Sequence, residues 1–185
     1  MLKLVREVFE DKSRILQLDS RKKIYNIIKK SPGIHFRELK RRSKQAVGAL
    51  QYHIDILDKH HLIKIKKEGK FARFFPVESN LSEEEKTTLS FLRHETTRKI
   101  ILLLLTKKNV TNKRISASLE LSPSTVSFHL QKLEEDNMIQ KTRKGKMLYF
   151  SLVDQQKAKE LLISYKKSFL DTLVNSYVEL WTEVK

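Results

Sequence analysis

Basic side chains are the groups in this sequence best suited to bind a ligand, and they are unevenly placed. The 185 residues include 38 Lys and Arg against 22 Asp and Glu, which gives a formal net charge of +16. Residues 20–78 hold 16 basic and 5 acidic side chains, residues 79–153 hold 13 and 8, and residues 1–19 and 154–185 are each neutral. A coding bias toward lysine would raise the charge everywhere. Because both ends are neutral, we favour a different explanation: the central part of the chain binds a polyanion, and the end segments pack against other protein surface.

Other side chains that could do chemistry do not form a recognisable site. His53 and His129 repeat at the same place in two similar segments, but no carboxylate or second histidine recurs with them at metal-ligand spacing. We interpret them as packing histidines bonded to nearby backbone, and His60 and His61 as the end of a helix, with a zinc or pH role as the alternative. There is no Cys and no nucleophile or phosphate-loop motif. We expect no enzyme, no metal and no cofactor.

The chain contains an internal repeat with a spacing of 76 residues. Apolar positions and turn positions agree in type across the two copies without a gap. The identical residues of the first copy include Lys23, Ile24, His53, Leu57, Ile63, Gly69, Lys70 and Phe74. Such a repeat predicts two copies of one structural module. We predict domains at residues 15–78 and 83–153, joined by a linker at 79–82.

Apolar spacing in the first copy predicts three helices and a hairpin. The first helix, capped by Asp19 or Ser20, ends before Gly33; the second covers about 36–42 and the third about 44–60. The buried stripe of the third helix is Leu50, Ile54 and Leu57, and its outward residues are Gly48, Gln51, Tyr52 and Asp55. Alternating residues on both sides of the KKEGK turn predict two antiparallel strands.

The second copy repeats this order. A helix from Thr96 or Thr97 is followed by a second at 112–119. Ser122 and Pro123 then mark the start of the third, with Ser as the cap and Pro at the first helical position. Its buried stripe is Val126, Leu130 and Leu133, and its outward residues are Ser124, Ser127, Phe128 and Gln131. Strands around RKGK complete the module.

Three helices followed by a basic hairpin make a winged helix-turn-helix. The stretches SPSTVSFHLQKLEEDNMIQKTRKGKMLYFSL and GALQYHIDILDKHHLIKIKKEGKFARFF resemble winged-helix regulators of the ArsR and MarR type. The tandem arrangement is similar to archaeal transcriptional regulators with two such domains. The resemblance covers about residues 15–153 and implies DNA binding through the third helix and the hairpin of each copy. ArsR-type metal sensors use Cys ligands, which are absent here, so metal sensing is not implied.

The residue types in these elements suit double-stranded DNA. Lys and Arg neutralise phosphates, Gln can pair with adenine in the major groove, and Ser or Thr can bond bases or phosphates. The predicted DNA contacts of the first copy are Arg37, Lys40, Arg41, Arg42, Lys44, Gln45, Gln51, Tyr52, Lys64, Lys66, Lys67, Lys70 and Arg73. Those of the second copy are Ser122, Ser124, Thr125, Ser127, Gln131, Lys141, Arg143, Lys144 and Lys146. The first copy is more basic, so we expect it to bind more strongly. The alternative is that one hairpin is merely solvated and one helix contacts protein.

Both ends of the chain read as amphipathic helices. Residues 154–185 predict one long helix without Gly or Pro, and such a helix needs a packing partner. Its apolar stripe is Leu162, Tyr165, Phe169, Leu173, Tyr177, Leu180, Trp181 and Val184. We predict that this stripe forms a homodimer seam, with packing back on the same chain as the alternative. Residues 1–14 form a second helix that joins the seam.

The sequence therefore predicts a mainly α fold with small β-hairpins (α+β): two tandem winged helix-turn-helix domains and a long C-terminal helix. We interpret the chain as a cytoplasmic, homodimeric, sequence-specific DNA-binding transcription regulator with no small-molecule effector that can be named. An architectural or replication-associated DNA binder and a protein-interaction module of a transcription complex are the alternatives. We expect no membrane partner, because the longest aliphatic run, 100–105, is far shorter than the roughly 20 residues that span a bilayer.

Overall fold

The chain divides into two units, residues 1–82 and 83–185. The computed structural model describes residues 12–68, 71–169 and 171–183. Most of the predicted N-terminal helix lies outside these ranges, and residues 12–15 are helical. Within the described ranges no helix is both long and apolar enough to cross a membrane.

Between residues 19 and 79 the first unit forms three α-helices and a three-stranded sheet. Its elements are α1 (Asp19–Lys30), β1 (Ile34–His35), α2 (Phe36–Ser43), α3 (Val47–Lys59), β2 (Ile63–Glu68), β3 (Phe71–Pro76) and a 3-10 turn (Val77–Ser79). The sheet order is β1-β3-β2, with both pairings antiparallel. The first helix stops where the chain turns at Gly33, whose φ of 78° lies in the left-handed region that glycine tolerates.

The core of the first unit lies between α1, α3 and the sheet. Leu50, Ile54 and Leu57 of α3 are fully buried, as are Ile24 and Ile28 of α1. The predicted buried stripe of the third helix is thus confirmed. Because this stripe is buried, the opposite side of α3 is fixed outward.

The second unit repeats the module and adds helices on both sides of it. Its elements are α4 (Glu83–Arg93), α5 (Glu95–Thr106), α6 (Asn112–Leu119), α7 (Pro123–Glu135), β4 (Ile139–Lys144), β5 (Met147–Leu152), α8 (Gln155–Phe169) and α9 (Thr172–Glu183). As predicted, Ser122 caps α7: its hydroxyl accepts a hydrogen bond from the Thr125 backbone N–H at 3.1 Å. Pro123 occupies the first helical position.

The two modules have the same spacing throughout. The start and end of each element from α1 to β3, apart from β1, recur 76 residues later in α5 to β5. The strand pairing Ile34–Phe74 recurs as the bridge Val110–Phe150. Left-handed backbone recurs at the pairs Gly33 and Asn109, Lys44 and Glu120, and His61 and Asn137. The predicted fold class, two tandem winged helices with small hairpins, is confirmed.

The C-terminal segment differs from the prediction of one continuous helix. It forms two helices, α8 and α9, which pack on each other and, through α8, on α4 and α5. The joint is fixed by Arg98 of α5, whose guanidinium lies 2.6 Å from the Asp171 carboxylate. Leu162 is fully buried and Phe169 is 8% exposed in the unit itself. These two residues pack back on their own chain, which corrects their assignment to a dimer seam; Val184 lies outside the described residues.

Candidate nucleic-acid interface

The outward side of α3 is a polar surface, as the sequence indicates. Gln51, Tyr52 and Asp55 are exposed on the side opposite the buried stripe. The Gln51 side-chain amide donates to the Asp55 carboxylate at 2.8 Å, and the Tyr52 ring is 59% exposed. A DNA base edge can displace this exposed hydrogen bond, so the Gln51 amide remains able to read a base.

The basic cluster of α2 is ordered around one acid. Arg41 donates to Glu38 through two nitrogens at 2.8 and 2.6 Å, and Arg42 donates to the same carboxylate at 2.7 Å. These guanidinium groups lower the pKa of the Glu38 carboxyl to about 2. Arg37, Lys40 and Lys44 of the predicted set are exposed beside this cluster.

Three predicted contacts of the first unit are held inside it. Arg73 is only 9% exposed and donates to the Gly33 carbonyl at 3.1 Å, so its assignment to DNA is wrong. Arg42 is half-buried and also donates to the Ser31 hydroxyl at 2.8 Å, which makes it a structural residue of the α1–α2 corner. Gln45 is half-buried and its amide lies 3.4 Å from the Ser20 hydroxyl.

The first wing is the β2–β3 hairpin. Lys64 and Lys67 are exposed on β2 and Lys66 is half-buried. Lys67 pairs across the hairpin with Ala72, so no bulky neighbour covers it from the opposite strand. Lys70 lies outside the described residues.

The start of α7 carries a cluster of hydroxyl groups. The Ser122 hydroxyl lies 2.9 Å from that of Ser124 and 2.8 Å from that of Thr125. Ser127 accepts a hydrogen bond from the Asn112 amide of α6 at 2.8 Å, which ties the two helices together. Three hydroxyl groups at the positive end of a helix suit a phosphate oxygen.

The rest of α7 carries one lysine and two glutamates, the same net charge as the one lysine and two aspartates of α3. Gln131 donates to Glu135 at 2.9 Å. The Phe128 ring is 53% exposed, and the Lys132 ammonium lies 4.4 Å from its centre. This mixture of an amide, an aromatic ring and a cation can contact both base edges and the thymine methyl group.

The second wing is the β4–β5 hairpin. Lys141 is paired with Glu134 of α7 at 2.7 Å, and the Arg143 guanidinium reaches the Gly145 carbonyl at 3.4 Å. Lys144 and Lys146 are exposed at the turn. The cations nearest the turn are therefore the ones most available to a phosphate backbone.

His53 is buried and His129 is half-buried, and at Nδ1 of His53 the predicted bond to nearby backbone is absent. His53 is 7% exposed and its Nδ1 has no hydrogen-bond partner, which corrects that part of the prediction. Burial lowers its pKa, and the Arg21 guanidinium adds to this effect. Burial also lowers the pKa of His129, which stacks 5.2 Å from His94. Among the described residues no group of three potential ligands surrounds either ring.

Sequence reasoning left three exposed apolar residues out of the predicted interface. Phe128 occupies the position of Tyr52 one repeat later, and that equivalence would have included it. Phe71 is 71% exposed and Met147 is 59% exposed, each the first residue after the turn of its wing. The repeat also aligns Phe71 with Met147, and this equivalence marks both residues although neither is charged.

The chain is a tandem winged helix-turn-helix protein. Each of its two modules contains three helices, with a turn between the second and the third, followed by a two-stranded wing. Two family models match it accordingly. Residues 18–89 match a model described as an N-terminal HTH domain, and residues 93–140 match a model described as winged helix-turn-helix DNA-binding. Together the two matches cover both modules with helix-turn-helix models. The ArsR or MarR subtype stays a prediction.

One curated relative is named an uncharacterized HTH-type transcriptional regulator of Methanocaldococcus jannaschii. It is 32% identical over 140 residues, which are 76% of this chain and 35% of the relative. The chain thus spans about a third of that relative's length.

Two solved structures show partial likeness. Reduced HlyU from Vibrio cholerae is 21% identical over 49% of this chain and 93% of that chain, with a TM-score of 0.40. Lactococcus lactis ZitR in complex with DNA is 20% identical over 75% of this chain and 85% of that chain, with a TM-score of 0.34.

Proposed function

We propose that the chain is a sequence-specific regulator of transcription that binds double-stranded DNA. Helices α3 and α7 enter the major groove and the two wings lie on the phosphate backbone. The first unit supplies most of the electrostatic affinity, because its net charge over residues 20–78 is far higher than that of the second module.

One observation carries this proposal. Two modules of identical spacing each bury one stripe of the third helix and turn the opposite side outward, next to exposed cations of α2 or of a wing. A helix that only packed against protein would not need the same orientation and cationic surroundings twice. Anion binding through both modules explains why the excess charge follows the repeat and not the ends of the chain.

We further propose that the chain self-associates through the outer side of α9. Leu173 is 45% exposed and Leu180 is 59% exposed, while Tyr177 and Trp181 lie 6.0 Å apart and are half-buried. Pairing of this side with a second copy would bury the four residues together. It would also present the winged helices with two-fold symmetry to a palindromic or repeated site.

The wing substitutions Lys66→Ala, Lys67→Ala and Lys70→Ala, made together, test the electrostatic part. Each phosphate contact contributes about 0.9 to the slope of log affinity against log salt, so the slope should fall by about 2 to 3 and affinity should fall for every sequence. The matched control removes three exposed lysines elsewhere in the chain: Lys23→Ala, Lys108→Ala and Lys167→Ala. An equal loss in the control, or an unchanged slope in the wing variant, removes the wing from the interface.

Selection from a random duplex library, followed by footprinting, separates the proposal from its rivals. Enrichment of one motif supports a sequence-specific regulator. Similar affinity for every duplex would favour an architectural binder. Absence of duplex binding at low salt would contradict DNA binding and favour a protein-interaction module, with copurification as the next measurement.

A further inference from the structure

The tip of each wing carries a large apolar side chain that packs against little else. Phe71 and Met147 are the first residues of β3 and β5. They are among the most exposed large apolar residues that the structure describes, at 71% and 59%. Single exposed apolar residues are ordinary in proteins. The repeat relates two further exposed pairs, Tyr52 with Phe128 and Val77 with Val153, but Phe71 and Met147 are the pair located at the wing tips.

Lysines lie beside both tips. The residue paired with Phe71 is Glu68, and Leu148, which follows Met147, is 47% exposed. Lys67 and Ala72 form the next cross-strand pair of the first wing. In the second wing Met147 pairs with Lys144, and Lys146 precedes it in the turn. A protein partner would need a wider apolar patch around the protruding residue. A protruding apolar side chain with lysines beside it matches the minor groove of a duplex, where phosphates flank the stacked base edges.

The geometry of the second tip shows that the apolar group is directed and braced. Gly145 takes φ 61° and so permits a tight two-residue turn, with the strand resuming at Met147. The Tyr149 hydroxyl lies 3.7 Å from the Met147 sulfur, and the Lys144 ammonium lies 5.9 Å from the Tyr149 ring centre. Lys144, Met147 and Tyr149 thus share one side of the hairpin, with the apolar group toward the tip.

From these observations we propose that the chain bends DNA. Phe71 and Met147 are wedges that enter the minor groove, slip partly between adjacent base pairs and unstack them. This inference rests on the proposed function, because the wings must first lie on a duplex. Wedges of this kind kink DNA by roughly 20–90° toward the major groove, and two wedges in one chain would bend the site at two places. The flexible steps TA and CA/TG unstack most easily, so the wedges favour sites that carry them at the kinks.

The test compares the full chain with matched variants on one duplex, recovered by random-sequence selection and labelled at both ends for energy transfer. The wedge variant is Phe71→Ala with Met147→Ala. The control variant is Val77→Ala with Val153→Ala, a pair that is also exposed, also related by the repeat, and located at the other end of the hairpins. A third variant, Phe71→Leu with Met147→Leu, keeps the apolar bulk. A 2-aminopurine probe at the predicted step reports unstacking.

Three results support the inference together. The native chain and the control variant bend the duplex and raise 2-aminopurine fluorescence, and the leucine variant does so as well. The alanine variant binds without bending. In a duplex with a single-nucleotide gap at the kink, unstacking is already complete. The native chain therefore binds this gapped duplex at least about tenfold more tightly than the intact duplex. The alanine variant binds both duplexes equally.

Other results overturn it. If the native chain binds while the duplex stays straight, or if the alanine variant bends it equally, the wedges are refuted and the proposed DNA binding stands. If the native chain binds no duplex at low salt, the proposed function and the wedges fail together.

Discussion

Removal of one charge at the joint between α8 and α9 should destabilise the second unit strongly. The Arg98–Asp171 pair is 2.6 Å long, with side chains only 9% and 12% exposed. Loss of one partner from a buried pair costs about 3–5 kcal/mol, because the other charge is left without compensation. Asp171→Asn keeps an oxygen that accepts a hydrogen bond, and Arg98 keeps its bond to the Leu92 carbonyl at 2.9 Å. We therefore expect a cost of about 2–3 kcal/mol.

The single tryptophan makes this measurable. Trp181 lies in α9, with the Lys159 ammonium 5.1 Å from its ring centre, so its fluorescence reports the second unit. Urea unfolding followed by fluorescence should show an earlier midpoint for Asp171→Asn. In a unit of about a hundred residues this cost lowers the Tm by about 10–20 °C. Circular dichroism, which also reports the first unit, should change less.

Glu95→Gln is the matched control. It removes the same charge from a pair on the same helix, Lys99–Glu95 at 2.7 Å, but those side chains are 36% and 68% exposed. An exposed pair of this kind contributes about 0.3–0.5 kcal/mol. If Asp171→Asn costs no more than Glu95→Gln, the buried pair does not hold the joint and the reasoning is refuted.

Three further predictions concern the interface, the core and assembly. Gln51→Ala should change the preferred base at one position in a random-site selection; an unaltered motif contradicts base reading by Gln51. The His53 pKa is lowered in the fold, so the unfolded state takes up the proton first, and stability present above about pH 6.5 should decrease as the pH falls below it. His53→Leu should reduce the change in the free energy of unfolding between about pH 7.5 and about pH 5.5, measured by urea titration at both values. An equal change in both proteins would show that His53 does not cause the pH dependence. Leu180→Glu should convert a sedimenting dimer into a single 21.9 kDa particle, and a native chain that already sediments as that particle contradicts self-association.

The module itself could be predicted because its signals are local. Apolar spacing fixed the buried stripe of α3, and turn residues such as Gly33 and Pro123 fixed where helices end and begin. The repeat doubled each signal, so that weak evidence in one copy was supported by the other. Fold class and outward helix sides followed without any long-range information.

The misplaced contacts depended on distant partners. Alternation along β3 does not reveal which cation turns inward, and Arg73 does so to reach the Gly33 carbonyl, 40 residues earlier. In the same way, a stripe with steps of three and four residues is compatible with one long helix or with two. The bend between α8 and α9 depends on Arg98, 73 residues before Asp171. No sequence pattern near the joint indicates that Arg98 is the partner of Asp171.

The uniform spacing of the two modules has a consequence for folding. Hairpins β2–β3 and β4–β5 have equal lengths and equal strand pairing, so a half-folded chain offers each hairpin a place in the wrong module. Neighbouring domains of this kind are prone to exchange equivalent parts and misassemble. The divergence of their side chains opposes this: Arg73, which bonds Gly33 in the first hairpin, is Tyr149 in the second, so an exchanged hairpin would bring a different side chain to each core. Low sequence identity between the two modules thus disfavours the exchange of equivalent hairpins during folding.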